Sequence, residues 1–302
     1  MLTDRLDLSE RRACSITGQP RSTQRYEPRV EEDERRLVAR LHELVRQHPR
    51  YGYRRMAALL RGEGFRANDK RVYRLWKQEG FKVPKKSVRK RRLGDSTNGV
   101  ARLSAKAPNE VWAWDFFHDR LADGRPVKWL GCIDEYTREC LLLEPRRSIK
   151  AKDAAAMLGR VIAERGAPKH LRSDNGPEFI AEALREFLKE SNVETLYIEP
   201  GSPWQNGFAE SFNARVRDEL IGVELFTSMK EAEVVGGDWR EAYNARRPHS
   251  SLGYLTPAAF AATQCLPKTS EGEACPAPRQ TPPLRSNLGT NRHPETLIAG
   301  GA

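Results

Sequence analysis

Three carboxylates stand at positions where a side chain could do chemistry. Asp115 lies inside the aromatic stretch VWAWDFF, which predicts a strand, and a charged residue is rarely buried there without a partner. Asp174 ends a short apolar segment and is followed by Asn-Gly-Pro, residues that form turns. Glu210 follows a loop rich in Pro, Gly, Ser and Asn. Converging carboxylates repel one another unless a cation joins them, so this set indicates a divalent metal site.

The chemistry that suits such a site is phosphoryl transfer with two divalent ions, Mg²⁺ or Mn²⁺, because these hard cations take oxygen ligands. One ion would activate the attacking hydroxyl or water and the other would stabilise the leaving oxygen, at a separation of roughly 4 Å. The protein would mainly position the ions and the phosphate. Asp134, which also lies in a predicted strand, is the alternative to Asp115 for the first of the three positions.

The segments around these residues predict a mixed α/β sheet of five strands with helices packed on it. In chain order the predicted elements are strands at 111–117, 128–136 and 139–144, a helix at 152–165, a strand at 170–174, a helix at 181–190, a strand at 193–198 and a helix at 208–220. The first three strands are close enough in sequence to form an antiparallel meander. Placing the first strand beside the fourth would bring Asp115 near Asp174.

The excess positive charge lies in the first third of the chain. The 302 residues carry 52 Lys and Arg against 41 Asp and Glu, a net charge of +11. Residues 1–100 hold 26 basic and 13 acidic side chains, which leaves 26 basic and 28 acidic for the remainder. A basic module ahead of a near-neutral one indicates nucleic-acid binding attached to a second domain. The alternative is a basic surface that only keeps the protein soluble and binds no nucleic acid.

Helical pairs in this basic third fit a helix-turn-helix arrangement. Two short helices are predicted within residues 8–26, an amphipathic helix at 31–47, and two more within 51–81, the last capped by Asn68 or Asp69. That last helix and the basic stretch 82–92 present the cations that we expect to contact DNA: Lys70, Arg71, Arg74, Lys77, Lys85, Lys86, Arg89, Lys90 and Arg91. The alternative for the helix is an ordinary solvated face.

Other features of the sequence argue against export and membrane insertion. The five cysteines are widely spaced, without CxxC or Cys/His zinc spacing, which indicates a reduced, cytoplasmic protein. No apolar run is long enough to span a membrane, and no signal-peptide pattern follows Met1. Residues 266–302 are rich in Pro, Gly, Ser, Thr and Asn, so we expect a disordered tail.

With these residues in view, the chain resembles the IS3 family of bacterial insertion-sequence transposases, specifically the second reading-frame product, whose core is similar to retroviral integrases. Thirty-five residues separate Asp174 from Glu210, the spacing of this D,D(35)E group. The resemblance covers roughly residues 8–262. The matching segments are HPRYGYRR at 48–55, the strand with Asp115, SDNGPEF at 173–179, PGSPWQNGFAESF at 200–212 and YNARRPHSSLGYLTPAAF at 243–260.

The resemblance implies a fold and a domain order. An RNase H-like integrase core, βββαβαβα, would follow an all-α helix-turn-helix region. Residues 1–30 would form a short helical segment, 31–92 a helix-turn-helix DNA-binding domain with a basic linker, and 105–262 the catalytic core with C-terminal helices.

The resemblance also implies an activity and its residues. The chain would be a DNA transposase, a polynucleotidyl transferase that cleaves at an element's end and joins the freed 3′ hydroxyl to another phosphodiester. Asp115, Asp174 and Glu210 fall on the family's catalytic, metal-binding triad, and the VWAWD context favours Asp115 over Asp134. Asn206, in the loop before Glu210, is either a DNA contact or a turn residue.

The implied partners are double-stranded DNA, both transposon ends and target, and further copies of the chain in a homo-oligomer. The location would be the bacterial cytoplasm, associated with the nucleoid. A fusion with an upstream-frame DNA-binding protein is possible in this family. The C-terminal motif, which includes Tyr243, Asn244, Arg247, Pro248 and His249, either binds terminal DNA or packs on the catalytic helix, and we favour packing.

Two alternatives to the transposase interpretation differ in class. A plain RNase H-like nuclease would leave the basic helical third unexplained. A non-enzymatic DNA-binding regulator, or an inactive partial transposase that needs its upstream partner, would explain that third. A decayed copy would be expected to lose its acids, whereas all three carboxylates are present.

Overall fold

The structure, a computed structural model, describes residues 8–25, 32–83, 103–174, 176, 179, 181–198 and 206–264. Some of the predictions fall outside these ranges. They concern the disordered tail at 266–302 and five of the expected DNA contacts, Lys85, Lys86, Arg89, Lys90 and Arg91.

The N-terminal third is helical, as predicted. Its helices are α1 (Glu10–Thr17), α2 (Arg21–Gln24), α3 (Glu32–Gln47), α4 (Tyr53–Gly62) and α5 (Asp69–Gln78). The Asn68 side chain caps α5 by accepting a hydrogen bond from the Lys70 backbone N–H at 2.9 Å. The apolar faces of α3, α4 and α5 form one buried cluster, which includes Leu37, Leu41, Leu44, Met56, Leu60, Val72, Leu75 and Trp76. The three helices therefore share one core.

A five-stranded mixed sheet follows, also as predicted. Its strands are β1 (Val111–Arg120), β2 (Pro126–Asp134), β3 (Cys140–Arg146), β4 (His170–Ser173) and β5 (Glu194–Tyr197). The spatial order is β3-β2-β1-β4-β5. The first three strands pair antiparallel, whereas β4 pairs parallel with both β1 and β5. The central place of β1 beside β4 is the arrangement that the sequence predicts.

One strand ends earlier than expected. We predict β2 to reach Tyr136, but it stops at Asp134. The Asp134 carboxylate accepts hydrogen bonds from the backbone N–H groups of Tyr136 at 2.7 Å and Thr137 at 2.9 Å. An aspartate that binds the backbone two and three residues ahead stabilises a turn, and this turn ends the strand.

Helices cover both faces of the sheet. On one face α6 (Ala151–Arg165) and α7 (Glu182–Glu190) pack on Trp112 and Trp114 of β1. On the other face lie α8 (Gly207–Val216), which continues into a π-helical turn (Arg217–Ile221), and α9 (Met229–Ala245). Phe117 of β1 packs on that second face. Since side chains alternate along a strand, Asp115 also points to the face that α8 covers.

The described chain ends with a 3₁₀ turn (Ser250–Leu252) and α10 (Pro257–Gln264). None of the helices in the described part of the chain combines the length and the apolar character needed to cross a membrane.

Candidate active site

The central strand β1 holds Asp115 between two neighbours. Its Cα lies opposite Gly131 of β2, and its side chain meets α8. The Asn213 side-chain N–H donates a hydrogen bond to Asp115 Oδ2 at 2.8 Å, and the Phe116 backbone N–H donates to Oδ1 at 2.8 Å. Both oxygens of this carboxylate are thus oriented by the protein.

The parallel partner of β1 carries Asp174. The pairing of β1 with β4 runs to Ala113 opposite Arg172, and Asp115 and Asp174 each follow two residues later in the chain. Asp174 follows the last residue of β4, and its Oδ1 accepts a hydrogen bond from the Gly176 backbone N–H at 3.0 Å. The turn after β4 therefore holds this side chain at the end of the sheet.

Glu210 lies in the first turn of α8 and is exposed. Asn213, the residue that binds Asp115, follows it by one helical turn, so both side chains lie on the same face of α8. The position of this one helix consequently controls both the third carboxylate and the orientation of the first.

The pKa of Asp115 is raised to about 7, first by burial and next by the negative charge of Asp174. Glu210 contributes in the same direction, while the Phe116 backbone hydrogen bond and the charge of Arg217 oppose the increase in this pKa. The three predicted carboxylates thus share one electrostatic environment.

The donor chemistry of this group suits a hard divalent cation, whose charge would offset the burial and the repulsion that raise the pKa of Asp115. The carboxylates are neighbours rather than a closed chelating set, since within the described ranges no three Asp, Glu, His or Cys side chains converge closely enough to hold one ion.

Asp134, the alternative first carboxylate, has a different environment. It is fully buried, and besides the two turn hydrogen bonds it accepts one from the Asn109 backbone N–H at 2.8 Å. Across the β1–β2 pair it lies opposite Trp112, three residues along the strand from Asp115. Its oxygens are used to hold two loops together, which favours Asp115 as the first carboxylate.

The predicted DNA contacts on α5 divide into two groups. Lys70 and Lys77 are exposed. Arg71 instead donates to Asp33 at 2.8 Å and Arg74 to Glu34 at 2.6 Å, which joins α5 to α3. Phosphate contacts by the two arginines would have to compete with these acids, and DNA contact stays a prediction for all four residues.

Asn206 is buried, with 4% of its surface exposed, immediately before α8. Its side chain does not cap the helix, and its Oδ1 has no hydrogen-bond partner among the described residues. The structure thus places Asn206 inside the protein, and its contact with DNA stays a prediction.

The C-terminal motif packs on α8, the helix that carries Glu210, and packing is the interpretation we favour from the sequence. The Tyr243 ring meets the Phe212 ring of α8 edge to face, with centroids 5.5 Å apart. The Asn244 side chain pairs with the Cys140 backbone, accepting from its N–H at 2.8 Å and donating to its carbonyl at 2.9 Å. Arg247 forms a bidentate ion pair with Glu219 of the π-helical turn.

Three residues of α8 and its π-helical turn were not singled out from the sequence: Asn213, Arg217 and Glu219. Sequence spacing could have identified Asn213 and Arg217, because they follow Glu210 by three and seven residues and so share its helix face. Glu219 had no comparable signal, since its partners lie far away in the chain.

A glycine under α8 leads to a first prediction. A Cβ at Gly131 would lie 2.9 Å from Cε1 of Phe212, closer than side-chain packing allows. We expect Gly131→Ala to displace α8, to lower the free energy of unfolding by about 1–3 kcal/mol and to reduce activity. Urea denaturation measures the change. Gly237→Ala is the matched control, because its Cβ would meet nothing within 4 Å, and equal stability of the two variants would contradict the prediction.

Comparison with known proteins comes first from family models. Two models described as "Integrase core domain" match residues 105–203 and 191–257. A model described as "HTH-like domain" matches residues 31–92.

Curated relatives are similar over most of the chain. The chain is 40% identical over 261 residues to the insertion element IS407 uncharacterized 31.7 kDa protein of Burkholderia multivorans, covering 86% of this chain and 93% of the relative. It is 40% identical over 255 residues to the IS476 uncharacterized 39.2 kDa protein of Xanthomonas euvesicatoria, covering 84% and 73%. It is 29% identical over 240 residues to transposase InsD for insertion element IS2 of Escherichia coli, covering 74% and 78%.

Among solved structures, the HTLV-2 integrase catalytic core domain in complex with magnesium matches with a TM-score of 0.44 at 15% identity, covering 52% of this chain and 98% of that chain. The simian T-cell lymphotropic virus intasome in complex with PP2A regulatory subunit B56 gamma matches with a TM-score of 0.49 at 14% identity, covering 80% of each chain.

Proposed function

Because the chain belongs to the IS3 family of insertion-sequence transposases, it is a DNA transposase, and we propose that it cleaves and joins DNA at Asp115, Asp174 and Glu210. The observation that carries this proposal is the hydrogen bond from Asn213 to Asp115, which holds the helix that bears Glu210 against the strand that bears Asp115. The raised pKa of Asp115, caused by burial and by the charges of Asp174 and Glu210, supports the same grouping. Three elements far apart in sequence deliver these charges to one place. A protein tolerates such repulsion where function requires it.

We propose that the three carboxylates move closer together when cations bind, and that they would then hold two divalent ions, Mg²⁺ or Mn²⁺. When bound, these ions supply the positive charge that activates an attacking oxygen and stabilises a leaving one. Asn213 keeps Asp115 Oδ2 in a fixed direction, and the turn after β4 does the same for Asp174. Preset orientation of the carboxylates lowers the cost of assembling the site.

The substrate is DNA, bound by the helix-turn-helix region and the core. We propose that both transposon ends and the target are double-stranded, and that several copies of the chain hold two ends together. A fusion with an upstream-frame DNA-binding segment belongs to the same proposal. Lys70 and Lys77 on α5 are exposed, and we propose that they contact phosphates.

Ion binding provides a test that does not depend on activity. An ion at about 100 times its dissociation constant stabilises the folded state by about 2.7 kcal/mol, which raises the melting temperature by roughly 5–10 °C. We expect Mn²⁺ to produce such a shift in the wild-type chain and little or none in Asp174→Asn.

The control variant for this measurement is Asp123→Asn, because Asp123 lies in an exposed turn, where its side chain binds Arg125 two residues along the chain. This variant should respond to Mn²⁺ as the wild type does. An equal shift in Asp174→Asn and in the wild type would refute the metal assignment.

A further inference from the structure

A buried carboxylate joins the helical region to the catalytic core. Glu219 lies on the π-helical turn that continues α8, nine residues after Glu210. Its side chain is 5% exposed. It accepts two hydrogen bonds from Arg247, both at 2.6 Å, and a third from Arg55 of α4 at 3.0 Å.

Aromatic rings enclose these charges. The Arg55 guanidinium lies 4.9 Å from the centre of the Tyr51 ring, and that of Arg247 lies 5.9 Å from Tyr51 and 5.2 Å from Tyr243. Both tyrosines are buried. Stacking of this kind restricts a guanidinium to one orientation, which a single exposed ion pair does not do.

A second contact lies beside this cluster. Arg50 donates a hydrogen bond to the Gly222 carbonyl, at the end of the π-helical turn, at 3.3 Å. Arg50, Tyr51 and Arg55 all belong to the segment HPRYGYRR, and Tyr243 and Arg247 belong to the C-terminal motif. The segment HPRYGYRR and the C-terminal motif, neither of which contains a residue of the proposed triad, therefore meet at the end of the catalytic helix.

The charge of Glu219 is maintained in this setting. Burial acts to raise its pKa, but the hydrogen bonds and charges of Arg247, together with the charge of Arg55, lower the pKa overall. Charge-assisted, bidentate pairing is both strong and directional. The contact between α4 and the catalytic helix is thus a directional ion pair and not a nonspecific apolar contact.

We propose that Arg55 is a positioning residue: through Glu219 it holds the helix-turn-helix region at a fixed place relative to Glu210, and so selects which phosphodiester is cut. The inference rests on the proposed function of the triad. The mechanical link is continuous, because α5 shares its core with α4, α4 carries Arg55, and α8 with its π-helical turn carries both Glu219 and Glu210.

The test uses the full chain and two labelled duplexes of equal length, one with the terminal sequence that flanks this reading frame and one with random sequence. Cleavage in Mg²⁺ is mapped at nucleotide resolution for the wild type, Arg55→Met, Arg55→Lys, Arg54→Met and Asp174→Asn. Arg54 is the matched control, because it lies next to Arg55 but is exposed and donates to the neighbouring Tyr53 hydroxyl.

In Arg55→Met we expect unchanged affinity for the terminal duplex and unchanged nicking of the random duplex. Cleavage at the terminal phosphodiester should fall on the order of 10- to 100-fold, since small misplacements of reacting groups cost about that much. The remaining cuts should spread to neighbouring phosphodiesters. Arg55→Lys, which keeps a cation beside Glu219, should recover the wild-type position, and Arg54→Met should retain it.

If Arg55→Met cleaves the terminal duplex at the wild-type rate and at the wild-type phosphodiester, the proposal is overturned. A parallel loss of terminal cleavage and of nicking in the random duplex would also overturn it, because that pattern indicates a merely structural role. Cut positions that spread equally in Arg55→Lys and Arg55→Met would overturn it as well. Failure of the proposed function has a different signature: random nicking would survive in Asp174→Asn.

Discussion

Asp115→Asn should abolish cleavage and strand transfer, whereas Asp134→Asn should retain both in the folded fraction. Asp115 contacts α8 and shares its environment with two further acids, while Asp134 accepts three backbone hydrogen bonds in a buried turn. Loss of a catalytic carboxylate that holds metal should lower the rate by at least about 10³-fold, or about 4 kcal/mol in the activation barrier.

The order of the two variants should be reversed for stability: Asp134→Asn, the active variant, should be the less stable one. Replacing Asp134 weakens a buried acceptor, and we expect a loss of about 1–3 kcal/mol in the free energy of unfolding. Asp115→Asn should be as stable as the wild type or more so, because it removes a repelled, buried charge. An inactive but folded Asp134→Asn beside an active Asp115→Asn would reverse the assignment.

Arg247→Met should cause a large loss of stability. Arg247 is 2% exposed and forms two short hydrogen bonds with Glu219, itself 5% exposed. Removing one partner of a buried ion pair costs about 3–5 kcal/mol, because the remaining charge stays buried with less compensation. Urea unfolding followed by circular dichroism measures this change.

The control is Arg146→Met, which breaks a surface ion pair with Glu233 whose side chains are 46% and 36% exposed. Such pairs contribute about 0–1 kcal/mol. A cost below about 1 kcal/mol for Arg247→Met as well would mean that Glu219 does not depend on Arg247.

The cost of Arg247→Met should also depend on pH. The folded-state pKa of Glu219 lies below its unfolded value, so its pairing contributes stability above the unfolded-state pKa, about 4.3. That contribution is lost as the pH falls through the lowered folded-state pKa. The difference between the wild type and Arg247→Met should therefore be largest near neutral pH and should narrow in acid.

The sheet could be predicted from the sequence because its signals are local. Aromatic and β-branched stretches, turn residues and helix starts each lie within a few residues, and the meander leaves β1 free to pair with β4. The order of the strands then brings Asp115 and Asp174 together without knowledge of any side-chain contact.

The ion pairs could not be predicted in the same way, since their partners are distant in sequence. The sequence shows Arg71 and Arg74 only as cations on a helix. The structure pairs them with Asp33 and Glu34 of α3. Arg55 and Glu219 are separated by 164 positions. Asn213 is the intermediate case, because its spacing from Glu210 was visible but the approach of α8 to Asp115 was not.

Strand transfer by the wild-type chain and by Asp174→Asn, measured side by side, tests the catalytic assignment most directly. The assay joins labelled element ends to a target duplex in Mg²⁺ or Mn²⁺. We predict metal-dependent joining by the wild type and none by Asp174→Asn, with equal binding of the labelled ends by both proteins. Joining by Asp174→Asn at the wild-type rate would contradict the account, because the chemistry would then lie elsewhere in the chain.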